Sequence, residues 1–209
     1  MDTIEPYEIH KLLHDQAAWI LKNLKQLDTR RAENEKKERQ YRPDTTFPYF
    51  GEQVPLVFRW QKGISRPKAI RVILEQSPMQ FVVYLSLNDT ITNDDIRQAF
   101  RAWFLQTAKV FLPDRVAILA AQHHFEYNKV GVRQQKTVWG TCSGKGNLSL
   151  NARLLLLPPD AIDHIIRHEL CHLEHMNHSP AFWNLLETID PDTGYWRRWF
   201  RENEALYSF

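Results

Sequence analysis

The sequence predicts an α+β fold, with an antiparallel or mixed sheet packed against a helix that carries a metal-ligand motif and a further helix at the N-terminus. Three patterns predict it. Alternating or apolar runs bounded by Gly and Pro fill residues 47–87, as strands do. Apolar residues recur at intervals of three and four within 7–27, 93–124 and 160–173, the spacing of one helix face. The run Pro158-Pro159-Asp160 opens the last of these stretches as a helix start.

In chain order, Ile9, Leu13, Ala17, Ile20, Leu24 and Leu27 form the first stripe. Residues 29–42 are then almost wholly charged and polar, and Pro43 and Pro48 close the segment. Residues 1–43 are expected to be an N-terminal helical segment and 44–209 the main domain. Residues 47–50 and 54–60, joined across Gly51, read as a hairpin. Residues 69–74 and 81–87 should extend an antiparallel sheet. Thr92 or Asn93 can cap a helix running to about Phe111. Pro113 has no N–H to donate and is expected to interrupt it, with a second helical stretch reaching about His124. Residues 127–132 and 147–151 are the strands expected nearest the motif helix, and two short helices should complete the chain.

Composition sets wider limits. A chain of 209 residues with 43% hydrophobic and 12% aromatic content can bury a core in one domain. A net charge of +2 does not mark a nucleic-acid or membrane-surface binder. No apolar stretch approaches the ~20 residues of a membrane span. Met1-Asp2-Thr3-Ile4-Glu5 does not begin a signal peptide, and two cysteines give no disulfide framework. A cytoplasmic protein is expected, with no membrane partner. The basic residues Lys22, Lys25, Arg30, Arg31, Lys36, Lys37, Arg39 and Arg42 are interleaved with Asp28, Glu33, Glu35 and Glu38. That mixture reads first as a solvated face and only second as a nucleic-acid contact.

The chemistry is concentrated in His168-Glu169-Leu170-Cys171-His172. Histidines four apart on a helix project from one face, so both can reach a single Zn2+. Glu169, one step round the helix, can hold the metal's water and take its proton. A third ligand must come from His175 or His178. On a straight helix His175 would lie ~10 Å along the axis from His168, too far for tetrahedral zinc. Asn177 can take the left-handed conformation that reverses a chain, and Ser179-Pro180 reads as the cap and first position of a new helix. A turn at Met176-Asn177 would bring His178 back, and His178 is the expected ligand. On a helical wheel, Asp160, Asp163, Arg167 and Glu174 share the solvated arc. Ile162, Ile165, Ile166 and Leu173 share the apolar one. Glu169 falls among the apolar residues, where an unpaired carboxylate is costly unless a metal site compensates.

Residues 135–183 also carry a family resemblance. Trp139-Gly140-Thr141-Cys142-Ser143, the strand at 147–151, the His-Glu-Leu-x-His helix, Asn177-His178-Ser179 and Phe182-Trp183 together resemble the YgjP-like metallopeptidases. That zincin-type group is similar in motif to the SprT and WLM proteases. The likeness is strong over about residues 78–200 and recognisable back to about residue 15. It implies a zincin-like fold, one Zn2+ held by His168, His172 and His178, Glu169 as the base, and a protein or peptide substrate. It further suggests a substrate lying along an exposed sheet edge at residues 147–151 or the neighbouring strand, although an ordinary covered edge strand fits the sequence equally.

Other features have plainer readings. The run 140–146 lacks the spacing of a phosphate loop and its Ser or Thr after the lysine. Cys171 falls toward the solvated arc and is a poor ligand, and Cys142 is expected to pack. His123 and His124 sit at a helix end, and His164 and His175 are expected to be solvated. Trp183, Trp196 and Trp199 are expected in the core, with walls of the cleft as the lesser reading. Tyr195, Lys145 and Arg133 are equal candidates for stabilising an oxyanion. Two functions follow: a zinc-dependent metallopeptidase, or a zinc-binding accessory module associated with protein–DNA substrates.

Overall fold

The structure, a computed structural model, describes residues 40–62, 70–87 and 90–209. The architecture below belongs to the compact unit Tyr41–Phe209. The expected N-terminal helix and its basic residues up to Arg39 lie outside the described residues.

Four strands form the first sheet: β1 (Thr46–Tyr49), β2 (Glu52–Gln61), β3 (Arg71–Gln76) and β4 (Met79–Ser86), in the order β1-β2-β4-β3. The expected hairpin is present, with Phe47 opposite Val54. Its two loop residues, Phe50 at φ 49° and Gly51 at φ 81°, both take the left-handed region that a tight two-residue turn needs. Of the antiparallel or mixed sheet expected, the mixed form is found, although strands 69–74 and 81–87 were expected to extend an antiparallel one. β3 and β4 are antiparallel, but β2 lies parallel to β4, with Leu56 opposite Phe81. Alternation reports which face a residue occupies, not the direction of its neighbour.

Helix α1 (Asn93–Gln122) starts at Thr92, whose hydroxyl accepts the Asp95 N–H while the Asp95 carboxylate accepts the Thr92 N–H. Asn93 instead accepts the Tyr41 N–H at 2.8 Å. The helix is continuous through Pro113, against expectation. Proline inside a helix costs about 3 kcal/mol. Phe104, Leu112 and Val116 flank it and are fully buried, each contributing roughly 1.5–3 kcal/mol, so burial outweighs the lost bond. Phe100 stacks on Phe47 at 4.6 Å and meets Phe81 edge-on at 5.3 Å, which joins this helix to the first sheet.

A second sheet has β5 (Lys129–Arg133), β6 (Gly140–Cys142) and β7 (Asn147–Asn151) in the order β5-β7-β6. β7 is paired on both sides, parallel to β5 and antiparallel to β6. Residues 147–151 are therefore central, not an edge, and the edges beside them are β5 and β6. A 3-10 turn (Ala152–Leu156) leads into α2 (Pro159–Cys171), followed by α3 (Pro180–Ile189) and α4 (Thr193–Asn203). Among the described residues no helix is long and apolar enough to cross a membrane.

The hairpin turn anchors the entry to α2. The N–H groups of Phe50 and Gly51 donate to the carbonyls of Leu155 and Leu156 at 2.8 and 3.2 Å. A Cβ on Gly51 would stand 2.9 Å from the backbone of Pro158. Gly51→Ala combines that overlap with a positive φ, and should cost about 1–3 kcal/mol. The expected readout is a lower denaturation midpoint at unchanged slope.

A candidate metal centre at the end of helix α2

Pro159 occupies the first position of α2, and Ala161, Ile162, Ile166 and Leu170 bury its inner face. The remaining circumference is less exposed than a helical wheel implies. Asp163 is 5% exposed and is bound by Arg115, with Nε to Oδ1 at 2.7 Å and a second bond to Oδ2. His164 is also buried, its Nδ1 lying 2.5 Å from Asp190 Oδ2. Arg167 bridges the two acids, 3.9 Å from Asp163 and 3.5 Å from Asp190. Cys171, expected near solvent, is fully buried with Phe182 and Leu186. Its thiol is pushed up to about 12 by burial. In each case α1, α3 or α4 packs on an arc that an isolated helix would expose.

Helix α2 ends at Cys171, one residue short of His172. The N–H groups of Leu173 and Glu174 donate to Leu170 and Cys171, at 2.9 and 3.2 Å, and that of His175 donates to Cys171 at 3.0 Å. A bend at Met176 and Asn177 completes the reversal. Asn177 does not use the expected left-handed conformation, since positive φ among the described non-glycine residues is confined to Asp44, Phe50 and His124. Ser179 caps α3 by accepting the Phe182 N–H at 3.5 Å.

The reversal brings three imidazoles together. One nitrogen from each of His168, His172 and His178 lies within 4.8 Å of the others. The Nε2 atoms of His168 and His178 are 3.1 Å apart. Ligands of a tetrahedral zinc at roughly 2.0–2.1 Å stand about 3.3 Å from one another, so this spacing suits a shared cation. His172 donates from Nδ1 to the carbonyl oxygen of His175 at 2.9 Å, which leaves the Nε2 lone pair for a metal. His175 thus serves through its backbone rather than its ring. Burial, then the neighbouring imidazoles, push His168 down to about 3. His178 is lowered by burial and by His172, and the Arg197 guanidinium adds to both shifts. Neutral imidazoles are the form that ligates metal.

Two aromatic residues support the cluster, and of these Phe182 was given no such role by the sequence. Phe182 is fully buried, and its ring lies 5.0, 4.6 and 4.8 Å from those of His168, His172 and His178. Trp183, expected in the core, stacks on His178 at 5.5 Å and is only half-buried, forming a wall of the site. The Phe-Trp pair just after the third histidine was the available signal. Trp196 is buried beside His164 as expected, whereas Trp199 is half-buried.

Glu169 is 6% exposed, and its Oε2 has no hydrogen-bond partner among the described residues. Burial pushes its carboxyl up to about 7. Gly140 makes room for it: a Cβ there would lie 2.7 Å from Glu169 Cγ and 2.8 Å from Oε1. Cys142 lies two residues along the same strand, and its thiol is raised by burial and then by the Glu169 charge. An orphaned buried carboxylate beside three converging nitrogen donors fits a divalent cation. Of the candidate oxyanion donors, Lys145 lines a hollow that His172 also borders. Tyr195 is exposed on α4, and Arg133 is exposed on β5, the far side of β7 from β6.

The unpaired carboxyl has a measurable signature in metal-free protein. The folded state holds its proton up to about pH 7, whereas the unfolded chain releases it near the ordinary glutamate value of about 4.3. Stability from this group is therefore full below the lower value and falls as pH rises toward the higher one. Metal-free Glu169→Gln should melt several degrees above the metal-free parent at pH 8, with the gap closing at pH 5. A constant gap across that range would count against the buried, unpaired state.

Comparison with known proteins supplies a family. The YgjP-like metallopeptidase domain matches residues 3–203. The crystal structure of the metallopeptidase zymogen of Pyrococcus abyssi abylysin is similar at 23% identity, covering 44% of this chain and 93% of that one, with a TM-score of 0.39. So loose a superposition carries no argument. No curated protein matches the chain. The domain match spans nearly the whole sequence, and the chain belongs to the YgjP-like metallopeptidase family.

Proposed function

We propose that this protein is a zinc-dependent peptidase of zincin type, with one Zn2+ held by His168, His172 and His178 and with Glu169 as general base. The observation that carries this reading is a buried, unpartnered Glu169 carboxyl on the residue next to His168, whose ring nitrogen converges with those of His172 and His178. A purely structural zinc would be expected to have four protein ligands. Only three such groups gather among the described residues. The ion, when bound, supplies a Lewis acid that acidifies a water and polarises the peptide carbonyl.

The chain's own groups do the rest. Burial keeps Glu169 basic enough to accept a proton at Oε2 from the attacking water, near the working pH. It then returns that proton to the departing amide nitrogen. Phe182 and the His175 carbonyl hold the imidazoles in place. The substrate is expected along β6. Asn151 donates to the Trp139 carbonyl and Ser143 to the Asn147 carbonyl, so these residues bond inward to β7. Alternation then leaves the N–H and C=O of Gly140 and Cys142 pointing outward, where an extended peptide can pair with them. An accessory zinc module acting on protein–DNA substrates would leave the buried Glu169 without a role.

Glu169→Gln should keep one equivalent of zinc and lower peptide cleavage by about 10²–10⁴-fold. His178→Ala should lose the metal. Gly140→Ala should keep the metal but displace the carboxyl and lower cleavage. Metal content by mass spectrometry and turnover of a fluorogenic peptide library check all three. Undiminished cleavage by Glu169→Gln would overturn the mechanism.

A further inference from the structure

Helix α4 places Gly194, Arg197, Arg198 and Arg201 on one face, at helical spacings of three and four. They line an open hollow of about 310 Å³. All four are exposed, and no carboxylate among the described residues forms an ion pair with any of the three arginines. Three like charges within two turns repel one another, an arrangement that an incoming anion relieves.

The hollow is tied to the metal centre through a stack of rings. The Arg197 guanidinium lies 4.2 Å from the centroid of Trp183. Trp183 in turn stacks on His178 and lies 6.2 Å from His168. A guanidinium held over an indole face can still offer N–H groups to an anion. Further along α4, Phe200 packs on Trp139 at 6.0 Å, next to Gly140 of the edge strand. The helix thus contacts the ring stacked on the third imidazole through Arg197 and the residue before Gly140 through Phe200.

We propose that Arg197, Arg198 and Arg201 form a carboxylate-binding subsite that selects peptides bearing an acidic side chain or a free C-terminal carboxylate near the scissile bond. The proposal rests on the peptidase reading above and gives it a substrate class. Guanidinium groups also suit phosphates. A nucleic-acid track, however, needs basic groups strung along a surface with exposed aromatic platforms. Here the charges gather at one hollow, and the ring beneath Arg197 is already stacked on a histidine, so a compact anion on a short substrate is the better match.

Binding tests this separately from turnover. Labelled decapeptides rich in glutamate, and their glutamine counterparts, are titrated against zinc-loaded Glu169→Gln protein, each as free acid and as C-terminal amide, beside a single-stranded oligonucleotide. The acidic peptides should bind about tenfold more tightly than the neutral amide. Comparing Glu-free acid, Glu-amide and Gln-free acid tells a side-chain from a terminal carboxylate. Arg197→Gln/Arg201→Gln should abolish the preference. Arg198→Gln/Arg201→Gln, which keeps the Arg197–Trp183 contact, should weaken it at unchanged zinc content. Equal binding of acidic and neutral peptides, a preference that survives both variants, or tighter binding of the oligonucleotide would each overturn the proposal. If acidic peptides are preferred yet wild-type protein cleaves none of them, the subsite stands and the peptidase reading falls.

Discussion

A carboxyl group held in near-complete burial without a hydrogen-bond partner is the constraint around which this fold is arranged. Glu169 sits among Ile162, Ile166 and Leu170 on the inward side of α2. Left alone, such a group is costly in its charged form. Its surroundings are built to keep it there: a strand glycine opposite it, a fully buried phenylalanine behind the three imidazoles, and a chain reversal that delivers the third of them. Under the proposed function, stability is given up at this point to keep a base near a bound cation.

Holding α2 still requires a different kind of interaction. Arg115, Asp163, Arg167, Asp190 and His164 form a connected set of charged and polar groups on the side of α2 away from the inner core. Such networks add little net stability compared with apolar packing of the same volume, but losing one member strands the rest. Their directional bonds tie α2 to α1 and to the Asp190 turn that opens α4. A helix fixed on two sides in this way holds the angle at which His168 and His172 leave it.

How much of this was legible in the sequence depends on the range of the interaction. The histidine pair, the cap at Ser179 and the hairpin across Gly51 are local and readable from residue type, although Asn177 does not use the conformation its type suggested and Phe50 holds a positive φ its type does not favour. The third imidazole could be placed because a single short turn decides its position. Asp163, His164 and Cys171 were misjudged because a helical wheel gives angles and not neighbours, and their neighbours come from residues 115, 190 and 182. The parallel pairing of β2 with β4 was hidden for the same reason. The continuity of α1 through Pro113 depended on weighing a local penalty against burial on a distant sheet.

The contact of Phe50 and Gly51 with Leu155, Leu156 and Pro158 links positions about a hundred residues apart. Closing so long a loop must be accomplished before its hydrogen bonds return any free energy. The helix bearing His168 is thus seated by a segment synthesised far ahead of it. Seating of the helix that carries His168 therefore depends on a contact between distant parts of the chain, not on helix formation alone.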